Sequence, residues 1–392
     1  MNASSDNMKT PIRIGYTLSL TGPVAENTRT AQLAHQIWLE DINSKGGLLG
    51  RPVELLCYDD QSKPETVAQL YRDLLAKDKV DLLLGGYGTN TLAAALPVVL
   101  EHNRLMIGLM GLGVNDKMEY PHYYAMIPTG PDPNAALTEG FFEVGATKNM
   151  KTVALLSAEA EFSKNPILGA KKNVRKYGLD IVYEQTYPLN TEDFAVYLQD
   201  IQNTGAEILF LCSYLTDSIG LIQALHAADF SPKLVGGAMI GPQAASVKTA
   251  LGPLLNGIVN YEYWMPVKGM LFPGVTDFLK RYQQKAVSVQ ADALGYYVAP
   301  LAYAQLQVLA QAIEATGSLD DLEISNYCQN ATFDTVVGSV QFGKNGEWMH
   351  PRVLQVQFQG IRDNSIATFM DNSKQVVLCP SEFASGTLQL PK

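Results

Sequence analysis

At 392 residues, 47% hydrophobic and 17% charged, the chain is too long for one ordinary core and too apolar for disorder, and two α/β lobes suit it. A formal net charge of −10, with no long run of Lys or Arg, excludes a nucleic-acid surface, which needs concentrated positive charge. No run of roughly 18 uninterrupted apolar residues occurs, so no transmembrane helix is expected.

The opening MNASSDNMKT is polar and lacks the apolar centre of a secretory leader. Two readings stay open: a cytosolic chain, or one whose leader has been removed. Ile12–Tyr16 then reads as a strand, and Thr30–Asn43 as a helix with Leu33, Ile37 and Ile42 at helical spacing. Strands at Val53–Tyr58, Val80–Leu84 and Leu105–Leu109 alternate with helices at Pro64–Lys77 and Thr91–Asn103. Such alternation predicts a parallel sheet covered on both faces. Ile127–Pro133, with three prolines and a glycine, reads as a crossover rather than an element.

The alternation then restarts. Strands are expected at Thr152–Leu156, Ile181–Tyr187, Ile208–Cys212 and Lys233–Gly236. Helices are expected at Pro166–Tyr177, Phe194–Asn203 and Ser218–Ala228, and later at Gly295–Thr316. Val336–Phe342, the turn Gly343–Gly346 and Val353–Phe358 read as a hairpin. The fold class expected is therefore α/β, with two doubly wound parallel-sheet lobes.

In open parallel sheets, ligands sit beyond the carboxyl ends of the strands. In the first series those ends are Ser19–Pro23, Gly85–Thr91 and Met110–Gly113; in the second they are Glu159–Phe162, Ser213–Asp217 and Gly237–Ile240. They bring Tyr87, Phe162, Tyr214 and Met239 toward one cleft, a mostly apolar wall of the kind small molecules use. Thr89–Thr91 lie at a helix start, whose free N–H groups and hydroxyls suit a polar oxygen; capping the helix is the competing role for the same side chains.

Enzyme signatures are missing. The histidines at 35, 102, 122, 226 and 350 share no metal spacing, and there is no G-x-S-x-G elbow or phosphate loop. Asp59-Asp60 suggests ribose recognition, yet the first strand leads into S-L-T-G-P and not G-x-G-x-x-G. No metal or cofactor is expected. Cys57 and Cys212 end apolar runs and read as buried small hydrophobes, whereas Cys328 and Cys379 are left either free or paired.

Several stretches together resemble the leucine/isoleucine/valine-binding proteins, the type I solute-binding proteins of ABC importers. They are IRIGYTLSLTG (12–22), DINSKGGLLGRPVELLCYDD (41–60), residues 85–99 and 151–178, and Tyr187-Pro188 with Asp193-Phe194. The resemblance implies two lobes joined by three crossover strands, near 128–133, 261–266 and 337–342. It implies a first lobe of residues 11–129 plus 265–337, a second of 130–264 plus 338–375, and a C-terminal extension at 376–392. It further implies a monomer that closes on a small-molecule ligand, docks on ABC permease subunits and works in the periplasm.

By position, the family's contacts fall on Asn27, on Thr89 and Asn90, on Met110, Gly111 and Leu112, and on Phe162 and Tyr214, with Met239 at a further family position; the reading of the strand ends adds Ser19 and Tyr87, and Trp264 is expected to join the apolar wall. Leu112 and Met239 stand where amino-acid binders carry groups that hold an α-ammonium. A small carboxylate or amide with an apolar or aromatic body is therefore expected, with Glu161 or Asp217 as substitute acids should an amino acid bind. Branched-chain amino-acid binding and cytosolic sensing are the alternatives. Thr89→Val is expected to weaken binding with little loss of stability.

Overall fold

A computed structural model of the chain describes residues 10–391. The polar start, and with it the question of a leader, lies outside the described residues.

The first series comprises β1 (Ile12–Leu18), α1 (Ala25–Ser44), β2 (Val53–Asp59), α2 (Pro64–Ala76), β3 (Leu82–Leu83), α3 (Thr89–Glu101), β4 (Met106–Gly108) and β5 (Tyr123–Ala125). Its sheet runs β2-β1-β3, all parallel, and a parallel β4–β5 pair continues it through the Tyr87–Leu109 bridge. β1 is almost wholly buried, as a strand covered on both faces must be. Pro64 opens α2, where its missing N–H is no loss.

The second series comprises α4 (Pro133–Thr147), β6 (Thr152–Ala158), α5 (Glu161–Lys176), β7 (Asp180–Tyr187), α6 (Ala195–Thr204), β8 (Ile208–Ser213), α7 (Leu215–Ala227), β9 (Leu234–Met239), α8 (Ala245–Leu251) and β10 (Ile258–Glu262). Then follow α9 (Val275–Ala286), α10 (Ala299–Thr316), α11 (Asp321–Cys328), β11 (Thr332–Thr335), β12 (Gly338–Gln341), β13 (Leu354–Phe358), α12 (Ile366–Met370) and β14 (Gln375–Cys379). The large sheet has the order β14-β13-β10-β9-β8-β6-β7. Its body is parallel, with β13 and β14 antiparallel at one edge.

The chain thus has two doubly wound lobes. α9 and α10 come late in sequence yet pack on α1 of the first series. A buried polar contact fixes that packing. His35 Nε2 on α1 meets Gln305 Oε1 on α10 at 3.1 Å, and Gln305 Nε2 donates to the carbonyls of Gly85 at 2.8 Å and Ile107 at 2.7 Å. One glutamine therefore ties two helices to the ends of β3 and β4, where the first lobe's loops begin.

Several expectations change. The proline-rich crossover runs directly into α4, whose first turn holds Pro133 and whose N-cap, Asp132, accepts from the Ala135 N–H. No hairpin joins residues 336–342 to 353–358: β12 pairs back with β11, and β13 pairs with β10 in the large sheet. The third crossing consequently lies later than 337–342. There, Arg352 donates its backbone N–H to Pro128 and its guanidinium to the Val337 carbonyl, both at 2.7 Å, with its charge over the Trp348 and Phe272 rings.

The tail expected to be a separate extension from 376 is partly built into the fold, because β14 is the sheet's edge strand. All four cysteines are free, with Cys328 on α11 and Cys379 on β14. Cys212 is buried as expected, but Cys57 is only partly so, since β2 is an edge strand with alternate residues facing out.

Candidate ligand-binding cleft

A cavity of about 210 Å³ opens where the carboxyl ends of both sheets face each other. Each loop that reaches it leaves a strand end, so both sheets aim at the same space.

From the first lobe come Ser19, Pro23 and Val24 after β1, Ser62 and Pro64 after β2, and Tyr87–Thr91 after β3. Met110 follows β4, and Tyr297 precedes α10. The β1 loop is braced by Asp60, which is 1% exposed and accepts from the Ser19 and Thr17 hydroxyls and the Ser62 N–H. The Asp59-Asp60 pair is therefore a loop brace. Gly88 has φ 92°, a conformation that favours glycine, and it turns the chain into α3 with no side chain capping the first-turn N–H groups. The residues that carry them, Thr89–Thr91, line the cavity. Met110 holds φ 61°, which in a long side chain costs roughly 1–3 kcal/mol, and the strain sits on the cavity wall.

From the second lobe come Phe162 in the first turn of α5, Leu189 and Asn190 after β7, Tyr214–Asp217 at the start of α7, and Ile240 after β9. The aromatic wall is connected. Tyr87 receives a hydrogen bond from Asn27 Nδ2 at 2.9 Å, and Tyr297 lies 3.2 Å from the Tyr261 hydroxyl and stacks on Tyr263. Burial pushes the Tyr87 hydroxyl up to about 12, so it stays a neutral donor and acceptor at physiological pH.

Asn90 spans the cleft. Its Nδ2 donates to the Tyr214 hydroxyl and its Oδ1 accepts from the Phe162 N–H, both at 3.1 Å. Asn165 of α5 donates to the Leu112 carbonyl at 2.7 Å beside it. The lobes are closed in this structure.

Among the described residues, no Lys, Arg or His lines the cavity, and Asp217 is its sole acid. Asp217 is 3% exposed. Burial raises its pKa, while the Tyr214 N–H and the Tyr187 hydroxyl, at 3.4 Å, oppose the shift.

Of the twelve residues singled out from the sequence, Ser19, Tyr87, Thr89, Asn90, Met110, Phe162 and Tyr214 line the cavity. The other five do not. Asn27 lies in α1 and orients Tyr87. Gly111 packs under Leu92, and Leu112 is fully buried with its N–H on Thr89 Oγ1 at 3.0 Å. Met239 points into the core, and its neighbour Ile240 faces the ligand space. Trp264 is fully buried at the second crossing, donating to the Met270 carbonyl at 2.9 Å. Neither Leu112 nor Met239 can then stand in for an ammonium-holding group, and the acid that does reach the cavity is Asp217, not the exposed Glu161.

Pro23, Gly88, Thr91, Leu215–Asp217 and Ile240 fall inside the named strand-end stretches without being singled out, and the residues missed altogether are Val24, Ser62, Pro64, Leu189, Asn190 and Tyr297. All but Tyr297 follow strand ends, so the same strand-end rule reaches them. Tyr297 is reached only once α10 is known to return to the first lobe.

Two lobes that meet over a small polar-and-aromatic cavity, joined by crossing strands, define a binding protein that encloses its ligand. The periplasmic binding protein family model matches residues 11–360, and the chain belongs to that family. The Brucella melitensis protein named Leu/Ile/Val-binding protein homolog 3 is 24% identical over 368 residues, covering 87% of this chain and 89% of its own. The closed leucine-, isoleucine-, valine-, threonine- and alanine-binding protein of Brucella ovis superposes with a TM-score of 0.78 at 17% identity, over 97% of this chain and 98% of its own. An R. palustris ABC-transporter solute-binding protein solved with benzoate gives 0.75 at 16% identity, over 94% and 96%.

Proposed function

We propose that this chain is the solute receptor of an ABC importer in the periplasm, and that its ligand is a small carboxylate with an aromatic or apolar body. One observation carries the ligand class. The N-terminus of α3, with no side-chain cap and no acid in its first turn, opens on a cavity walled by Tyr87, Phe162, Tyr214 and Tyr297. Helix N-termini favour an anion, and the rings take up the apolar body. The benzoate-bound R. palustris protein supports the same reading by its fold. In this reading the receptor takes up and releases its ligand unchanged.

Residues 11–129 with those from 265 to about 342 act in this reading as one rigid lobe, and those from 130 to 264 with β13 and β14 as the other. The ligand favours the closed arrangement because both lobes contact it. The receptor then docks on the permease subunits as a monomer.

A second reading has its own observation: Asp217, buried in the lining, could take the ammonium of a branched-chain amino acid, the ligand class in the name of the Brucella melitensis relative. Calorimetry with benzoate, 4-hydroxybenzoate, leucine, isoleucine and valine separates the two, using wild type and Asp217→Asn. The asparagine keeps an acceptor for the Tyr214 N–H. Saturable binding of the aromatic acids, retained in the variant, supports the carboxylate reading. Binding of the amino acids that falls at least tenfold in the variant replaces it with the second. No binding of any of the five overturns both.

A further inference from the structure

On the other side of the cleft from Asn90, the short helix α8 of the second lobe begins with Ala244 at its N-cap, and no side chain of its own lobe bonds its first N–H groups. Alanine is among the poorest N-caps. The missing cap comes from the other lobe. Asp292 Oδ2 accepts from the Ala245 N–H. Glu26, in the first turn of α1, accepts from the Ser246 N–H at 3.2 Å and from the Ser246 hydroxyl.

Asp292 is held firmly on its own side. Its Oδ1 accepts from the Leu294 N–H at 2.9 Å and the Gly295 N–H at 2.6 Å, and its backbone N–H donates to Thr30 on α1 at 3.0 Å. That leaves one carboxylate oxygen for the opposite lobe. Neither Glu26 nor Asp292 lines the cavity.

We propose that Glu26 and Asp292 set ligand affinity without touching the ligand, by capping α8 across the cleft when the lobes close. The inference rests on the reading of the chain as a receptor that closes on its ligand. Opening leaves the α8 N-terminus uncapped and takes two acceptors from their donors, so the contact stabilises the closed state alone. Its loss speeds opening, and with it ligand escape, while encounter with the open cleft is unaffected.

The test titrates benzoate and leucine into wild type, Glu26→Ala, Ser246→Ala and the double variant, with stopped-flow rates. Glu26→Ala is expected to weaken binding about tenfold, the loss appearing in the dissociation rate. The double variant should be no weaker than Glu26→Ala, because both changes remove one contact. Ser246→Ala is the milder change and keeps the test valid should Glu26→Ala fold poorly. Unchanged affinity, or a loss confined to the association rate, overturns the proposal. If neither probe binds wild type, the receptor reading fails on its own, and the latch is judged by hydrogen exchange at the Ser246 amide. Slower exchange in wild type than in Glu26→Ala supports it, and equal exchange overturns it.

Discussion

Thr89 shows how a single hydroxyl serves two masters. Its oxygen accepts from the buried Leu112 N–H, leaving its proton free to donate into the cleft. Thr89→Val is therefore expected to weaken binding by about 0.5–1.5 kcal/mol and also to destabilise the fold by roughly 1–3 kcal/mol, since the Leu112 N–H loses its only acceptor. Thr89→Ser should restore both. Calorimetry and urea unfolding on the same preparations check the two effects, and an unchanged unfolding midpoint in Thr89→Val would show that the Leu112 bond contributes nothing. The sequence alone assigned Thr89 a place at a helix start but gave no hint of Leu112, because that bond joins the loops after β3 and β4. The same limit explains Met239 and Ile240. A strand end names the right pair of residues, while the one that faces the cavity depends on where β9 stops. Trp264, expected on the wall, is instead fully buried at the second crossing, and Tyr297 lines the cavity.

The α1–α10 contact lends itself to a pH experiment. His35 is wholly buried, and burial lowers its pKa from 6.5 to about 4, against the opposing bond to Gln305. The unfolded chain takes up a proton below about pH 6.5 while the folded one stays neutral down to about 4. Stability from this residue is thus full above pH 6.5, falls between 6.5 and 4, and changes no further below. The shift corresponds to about 3 kcal/mol. The difference in unfolding free energy between wild type and His35→Gln, measured across pH 7 to 4, should narrow by that order as pH falls; a constant difference would contradict the buried neutral imidazole. Elements with strong periodicity, such as α2 and β8, were readable because local pattern and burial agree. α11 carried a readable cap, Asp320, which accepts from the Leu322 and Glu323 N–H groups at 3.0 Å, and was passed over because its eight residues show little apolar rhythm. The supposed hairpin failed for a different reason: adjacent strands usually pair, but here a crossing between lobes separates them.

For the molecule as a whole, the packing of α9 and α10 on α1 was within reach only through family resemblance, since no local property directs those late helices there. The tail shows what local reading misses at this scale. β14 lies antiparallel along β13, and the Gln389 N–H reaches back to Gln357 Oε1 at 2.8 Å. β14 occupies the outer backbone groups of β13, and the tail covers β14 in turn, with the Ser385 N–H donating to the Val377 carbonyl and the Val377 N–H to the Ser385 hydroxyl, both at 2.9 Å. Removing residues from Gln375 onward should leave a chain that still contains every cavity-lining residue but presents β13 as a ready template for another copy. Such a truncation is expected to form soluble aggregates on size-exclusion chromatography with light scattering, at concentrations where the full chain stays monodisperse. A monodisperse truncation would show that the margin is guarded some other way. The last strand is, on this account, a guard against self-association, and a tag or fusion partner attached to this protein is better separated from Cys379 by a spacer than joined to a shortened tail.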